Sequence, residues 1–138
     1  MSFLLDTNVW SELRKRRADP RVAAWFAGVA DEDIFLSVLV VGEIRRGVES
    51  IRRRDPDQAA TLERWLMGLL RDCAERILPV TREVAEEWGR LTSRKAIPSI
   101  DGLLAATARV HGLTLVTRNV RQLAAVGVPL LDPFGAPA

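Results

Sequence analysis

The sequence predicts an α/β fold in three layers: a five-stranded parallel sheet with helices on both faces. Two observations predict it. Five short apolar runs of strand length are spread along the chain, and amphipathic helical stretches separate each from the next. Strands joined through helices need crossover connections, which give parallel pairing and a sheet covered on both sides. The size agrees, because 138 residues with 48% hydrophobic content fit one domain of the usual ~100–150 residues with a core of its own.

The elements follow in order. Phe3-Leu4-Leu5 reads as a buried strand, ended by the polar group Asp6-Thr7-Asn8. A helix through Trp10 and Leu13 runs into the basic cluster Arg14-Lys15-Arg16-Arg17. Asp19 caps a second helix with Pro20 at its first position, and Val22, Trp25, Phe26 and Val29 form its apolar face. Ile34-Phe35-Leu36 is the second strand, ended by Ser37, and a helix through Val41, Ile44 and Val48 follows. A charged turn at 52–56 leads to a long helix from Asp57 to Arg76, with Leu62, Trp65, Leu66, Leu69 and Leu70 on one side.

The third strand is Ile77-Leu78-Pro79-Val80, and its proline argues against a central, fully paired position. A helix starting at Thr81 or Arg82 carries Val84, Trp88 and Leu91. Pro98 opens the next helix, which Gly112 stops after His111. Leu113 to Val116 is the fourth strand, residues 119–126 a short helix, and Pro129-Leu130-Leu131 the fifth strand. Residues 1–134 read as one domain, and 135–138 as a disordered tail.

Composition excludes several classes. Cys73 is the only cysteine, so there is no internal disulfide framework. No apolar run approaches the ~20 residues that span a bilayer, and Met1 to Asp6 carries no basic leader. The expectation is a cytoplasmic protein with no membrane partner. Net charge is only +2, yet all but two of the 20 basic residues are arginines. Arginine suits phosphate and carboxylate partners, but a codon bias gives the same composition.

In open parallel sheets ligands bind beyond the carboxyl ends of the strands, so polar residues there come first. Asp6 directly follows the first strand, and Thr117-Arg118-Asn119 directly follow the fourth. Glu43 lies within Val41-Gly42-Glu43-Ile44, and Asp101 within Ile100-Asp101-Gly102-Leu103. An acid inside an apolar run tends to be buried, and a buried carboxylate needs partners. Local alternatives stay open: Asp6 or Asp101 as a helix cap, and Glu43 as an ion-pair partner of Arg46. If the acids instead converge, their repulsion calls for a cation. Three carboxylates with an amide and no nearby His or Cys suit Mg²⁺ or Mn²⁺ rather than zinc. Such a site points to metal-dependent phosphodiester hydrolysis.

Four segments carry a resemblance: Leu4-Leu5-Asp6-Thr7-Asn8-Val9, Val41 to Gly47, Ser99 to Ala108, and Leu115-Val116-Thr117-Arg118-Asn119-Val120. In this order the chain resembles the PIN-domain family, and within it the VapC-like toxin ribonucleases of toxin–antitoxin pairs. The resemblance implies strand order 3-2-1-4-5, Mg²⁺- or Mn²⁺-dependent endoribonuclease activity on RNA, and inhibition by a cognate antitoxin. The apolar helices Val22 to Val29 and Leu62 to Leu70 could bury a second copy or that antitoxin, giving a homodimer or a hetero-oligomer, and an unneutralised acidic cleft would attract a basic residue of the antitoxin. Asp6, Glu43 and Asp101 match the metal-holding acids, Asn119 the fourth catalytic position, and Thr7 and Thr117 nearby hydroxyls that orient water or ligands. Gln122 departs from the pattern, because toxin members often have an acid there. That departure predicts one metal ion rather than two.

The other candidates divide between contact and packing. Arg14 to Arg17, Arg45, Arg46, Arg52, Arg53, Arg118 and Arg121 are candidate RNA-backbone contacts or solvated helix faces. His111 reads as a helix C-terminal cation, Cys73 as a small apolar residue, and the four tryptophans as core or interface. The competing function is a non-catalytic nucleic-acid- or protein-binding module on the same fold.

Overall fold

The computed structural model describes residues 1–135. The expected sheet is present. Strand β1 (Phe3–Leu5) lies at its centre, between β2 (Ile34–Ser37) and β4 (Thr114–Val116). Strands β3 (Ile77–Leu78) and β5 (Leu130–Leu131) form the edges, giving the order 3-2-1-4-5 with every pair parallel. Leu4, Leu5, Leu36 and Leu115 are fully buried, as strands covered on both faces require.

The helices are α1 (Thr7–Arg14), α2 (Pro20–Ala27), α3 (Val38–Arg52), α4 (Pro56–Asp72), α5 (Arg82–Thr92), α6 (Ser99–His111) and α7 (Val120–Leu123). Their starts follow side-chain capping. Asp19, Ser37, Asp55 and Thr81 accept from the backbone N–H of Arg21, Leu39, Gln58 and Val84. Trp25 meets Phe3 edge-on at 5.2 Å and Trp10 meets Phe26 at 5.9 Å, so these tryptophans serve packing.

Several boundaries differ from expectation for identifiable reasons. Strand β3 stops at Leu78, because Pro79 has no N–H to continue the ladder. Strand β4 begins at Thr114, not Leu113. The Leu113 N–H is spent on Ala108 O (2.8 Å) and the Gly112 N–H on Arg109 O (3.3 Å), with Gly112 at φ 66°. Those two bonds make a Schellman C-cap that only a residue tolerant of positive φ completes cheaply. The long helix ends at Asp72, and a 3-10 turn over Ala74–Arg76 follows. There the Arg76 guanidinium donates to Ile34 O (2.8 Å) and ties the turn to β2. Residues 119–126 divide into α7 and a 3-10 turn at Ala124–Val126, and β5 is only Leu130–Leu131. Of the tail expected to be disordered, 136–138 lie outside the described residues.

Two helix pairs hold the frame. Between α3 and α4, Glu63 receives both Arg45 and Arg52, and Glu49 receives the same two arginines. Two of the candidate RNA-contacting arginines are therefore committed to this brace. Between α5 and α6 the close approach is at Gly102, where an added Cβ would lie 3.0 Å from Thr92 Cγ2 and 3.1 Å from Trp88 Nε1. Gly102→Ala is expected to lower the melting temperature despite the ~1 kcal/mol helix-propensity gain of alanine, because overpacking a rigid ring costs ~1–3 kcal/mol. Calorimetry checks this, and a higher melting temperature would mean that Trp88 yields freely.

Candidate active site

The chain leaves β1 toward β2 and β3 on one side and later fills β4 and β5 on the other. The β1/β4 boundary is thus the topological switch point, where a crevice opens beyond the strand ends. Leu5 pairs with Val116, so Asp6 and Thr117 occupy matching positions just past the two strands. Backbone bonds fix both: Asp6 N–H donates to Val116 O (2.9 Å), and Thr117 N–H to Leu131 O (3.0 Å).

Their side chains are buried and joined. Asp6 is 4% exposed and Thr117 0%, and the Thr117 hydroxyl donates to Asp6 Oδ2 at 2.8 Å. The same hydroxyl accepts the N–H of Asn119 at 3.0 Å. Asp6 Oδ1 accepts the Thr7 N–H at 2.7 Å, so Asp6 caps α1 while its other oxygen faces the crevice residues. The capping alternative and the site reading hold together for this residue.

Glu43 reaches the same place from α3, about a turn and a half from its start. The Thr7 hydroxyl donates to Glu43 Oε1 at 2.5 Å, and Arg46 stands 3.9 Å from Glu43 Oε2. The Arg46 ion pair exists, but it is long and Arg46 is exposed, so it leaves Glu43 attached to Thr7. Asp101 lies in the first turn of α6, where the N-cap position is Pro98 and no side-chain cap bond forms. Capping is therefore not the role of Asp101.

Electrostatics join what hydrogen bonds do not. Burial pushes the Asp6 carboxyl above its ordinary pKa; the bonds from Thr117 and Thr7 pull it down, and Asp101 and Glu43 push it up again. Asp101 is also raised, first by burial and then by Glu43. All three carboxylates thus share one electrostatic neighbourhood. Asn119 sits at the N-cap position of α7, and its side chain makes no cap bond. The structure brings Asp6, Thr7, Glu43 and Thr117 together through direct bonds, and Asp101 through charge. It ties in Asn119 only by its backbone.

Asn8 has more contacts than its sequence position reveals. Its Nδ2 lies 3.4 Å from Asp6 Oδ2 and 3.5 Å from Thr117 Oγ1, and its Oδ1 accepts the Arg118 N–H at 3.2 Å. One amide thus spans the ends of β1 and β4. In the sequence, its place in the polar triplet Asp6-Thr7-Asn8 and its match to the residue that usually follows Asp-Thr in the PIN-domain family mark the position but not these contacts.

The donor set is entirely oxygen and fits a hard cation. Among the described residues, however, no three His, Cys, Asp or Glu side chains converge closely enough to hold one ion between them. Magnesium does not need three, since it is held by one or two carboxylates and keeps several waters.

The chain matches the PIN domain over residues 3–128. It belongs to the PIN domain family. Relatives span nearly all of it. Toxin FitB of Neisseria gonorrhoeae is 35% identical over 96% of this chain and 98% of its own. VapC ribonuclease Y4jK of Sinorhizobium fredii is 34% identical over 96% of this chain and 97% of its own. The solved structure of FitAB bound to an IR36 DNA fragment superposes with a TM-score of 0.90 at 32% identity, over 99% of this chain and 98% of that one.

Proposed function

We propose that this PIN-domain protein is a divalent-metal-dependent endoribonuclease acting in the cytoplasm as the toxin of a toxin–antitoxin pair. The observation that carries the reading is the buried Asp6 carboxylate at the β1/β4 switch point of a PIN fold, bonded to Thr117 and Thr7, with Thr7 tying in Glu43 and with Asp101 close enough to raise its pKa. The names of two relatives, a toxin and a ribonuclease, support it.

The residues divide the work. Asp6, Glu43 and Asp101 would hold a Mg²⁺ or Mn²⁺ ion, directly or through its waters. When bound, that ion supplies charge stabilisation at the scissile phosphate and acidifies an attacking water. Thr117 donates to Asp6 and orients it, and Thr7 does the same for Glu43. Asn119, held by its backbone to Thr117, offers an amide to orient water. Gln122, exposed on α7, adds no charge that would favour a second ion.

The test is RNA cleavage by purified, antitoxin-free protein in Mg²⁺ or Mn²⁺, with chelator and Asp6→Asn as controls. Cutting is expected only in the metal-containing wild type. No cutting in either metal, or equal cutting by the variant, overturns the reading. Gln122 and the open spacing of the acids favour the competing binding module, whose signature is RNA retention independent of metal and of Asp101.

The antitoxin partner draws support from FitAB, a complex in its solved form. A groove of about 340 Å³ between α1, α2 and α4 is lined by Trp10, Leu13, Phe26, Trp65 and Leu69 and offers an apolar seat. Trp65→Glu is expected to weaken co-purification with the antitoxin while RNA cutting persists. Unchanged co-purification would place the partner elsewhere.

A further inference from the structure

We propose that Arg118 is a positioning residue for the substrate, a preset anchor for an RNA phosphate next to the one being cut; this rests on the ribonuclease reading. Arg118 stands between Thr117 and Asn119, so its backbone is part of the site's rim. Its N–H is held by Asn8 Oδ1 at 3.2 Å, and the same Asn8 amide faces Asp6 and Thr117. The base of this side chain is thereby fixed to the buried carboxylate.

The far end is fixed as well. The Arg118 guanidinium carbon lies 3.7 Å from the centroid of the Phe134 ring. Phe134 is itself 6% exposed, and its N–H donates to Asp132 Oδ1 at 2.9 Å, which folds the chain after β5 back over this corner. Contact with a ring takes up one side of a guanidinium and leaves its N–H edge unspent.

The charge is also unclaimed. None of the ion pairs among the described residues involves Arg118. Glu12 is near enough to feel it, yet Glu12 spends its oxygens on the Asp19 N–H (2.8 Å) and on Lys15 (3.0 Å). Arg45 and Arg52 differ, because both are bound to Glu49 and Glu63. Arg46 also differs, because it leans on Glu43. An exposed, ring-backed fork with no ion-pair partner among the described residues, beside an acidic site, suits a phosphate. Preset geometry reduces the ordering cost of binding a flexible strand.

The experiment compares wild type, Arg118→Gln, Arg118→Lys, Phe134→Leu and a control, Arg71→Gln on the distant end of α4. Single-stranded RNA binding is measured in chelator across a salt series, and cleavage kinetics in Mn²⁺. Arg118→Gln is expected to bind on the order of tenfold more weakly, with the salt slope reduced by ~0.7, the share of one phosphate contact. Its KM rises while kcat is little changed, because the lost contact serves ground state and transition state alike. Arg118→Lys retains the slope but not the full affinity, and Phe134→Leu behaves the same way. Arg71→Gln matches wild type. A merely structural Arg118 would move the melting temperature and leave salt slope and KM in place, which overturns the proposal. Wild-type protein that cuts RNA alongside an equally competent Arg118→Gln sinks the anchor alone. Wild-type protein that neither binds nor cuts RNA sinks the ribonuclease reading with it.

Discussion

Thr117→Val is expected to lower metal-dependent RNA cleavage ~10–100-fold near neutral pH, the usual cost of losing a group that orients a metal-binding carboxylate. The hydroxyl has two duties in the fold. From a residue with 0% exposure, it donates to Asp6 Oδ2 and accepts the Asn119 N–H. Valine keeps the shape and removes both. Asp6 Oδ2 keeps only the long bond from Asn8 and the Asn119 N–H loses its acceptor, at a cost of ~1–3 kcal/mol of stability, which denaturant unfolding measures.

The pH profile separates this role from simple destabilisation. Burial already raises the Asp6 carboxyl, and the Thr117 bond is the largest influence holding it down. Without that bond the carboxyl rises further, and a divalent ion binds only the deprotonated form. The acid limb of the rate profile therefore moves to higher pH in Thr117→Val, and part of the activity returns in alkaline buffer. A uniform loss at every pH, with the limb unmoved, would show that Thr117 does not set the charge of Asp6.

This pairing also marks where sequence reading stops. Local patterns reveal β1, β2 and the cap at Asp19, because an apolar run ending in a polar residue and an Asp-Pro pair carry their own punctuation. The acids were legible too, since Asp6, Glu43 and Asp101 interrupt apolar runs. The bond joining Thr117 to Asp6 links residues 111 apart, and no local signal specifies it. It follows from the parallel register that sets Leu5 beside Val116. The strand ends differ from expectation where the backbone is already committed: Leu113 to its helix cap, and the segment after Leu78 to a proline. Arg118 shows the same limit, because its partner Phe134 belongs to the chain after β5.

Asp101→Asn is expected to melt higher than wild type in chelator at pH 7 and to lose the stabilisation that Mn²⁺ confers. The sign follows from linkage. Burial and then Glu43 raise the Asp101 carboxyl above its ordinary 3.8, so the folded state favours the protonated form. That contribution is fully present below the unfolded pKa and is lost as pH rises through the folded one. Wild-type protein without metal is therefore weaker at neutral pH than its packing allows, whereas asparagine carries no charge to bury. Removing a strained site group of this kind commonly gains ~0.5–2 kcal/mol. The two proteins should converge in acid, where both side chains are neutral. Metal reverses the order, because an ion bound only to the folded state adds ~2.7 kcal/mol at a hundredfold excess over its Kd. Thermal melts at pH 3 and at pH 7, each with chelator and with Mn²⁺, cover all four conditions. If Asp101→Asn melts lower at pH 7 without metal, the carboxylate is doing structural work and the acids are not a poised, mutually repelling set. If Mn²⁺ raises both proteins equally, the ion sits somewhere other than beside Asp101.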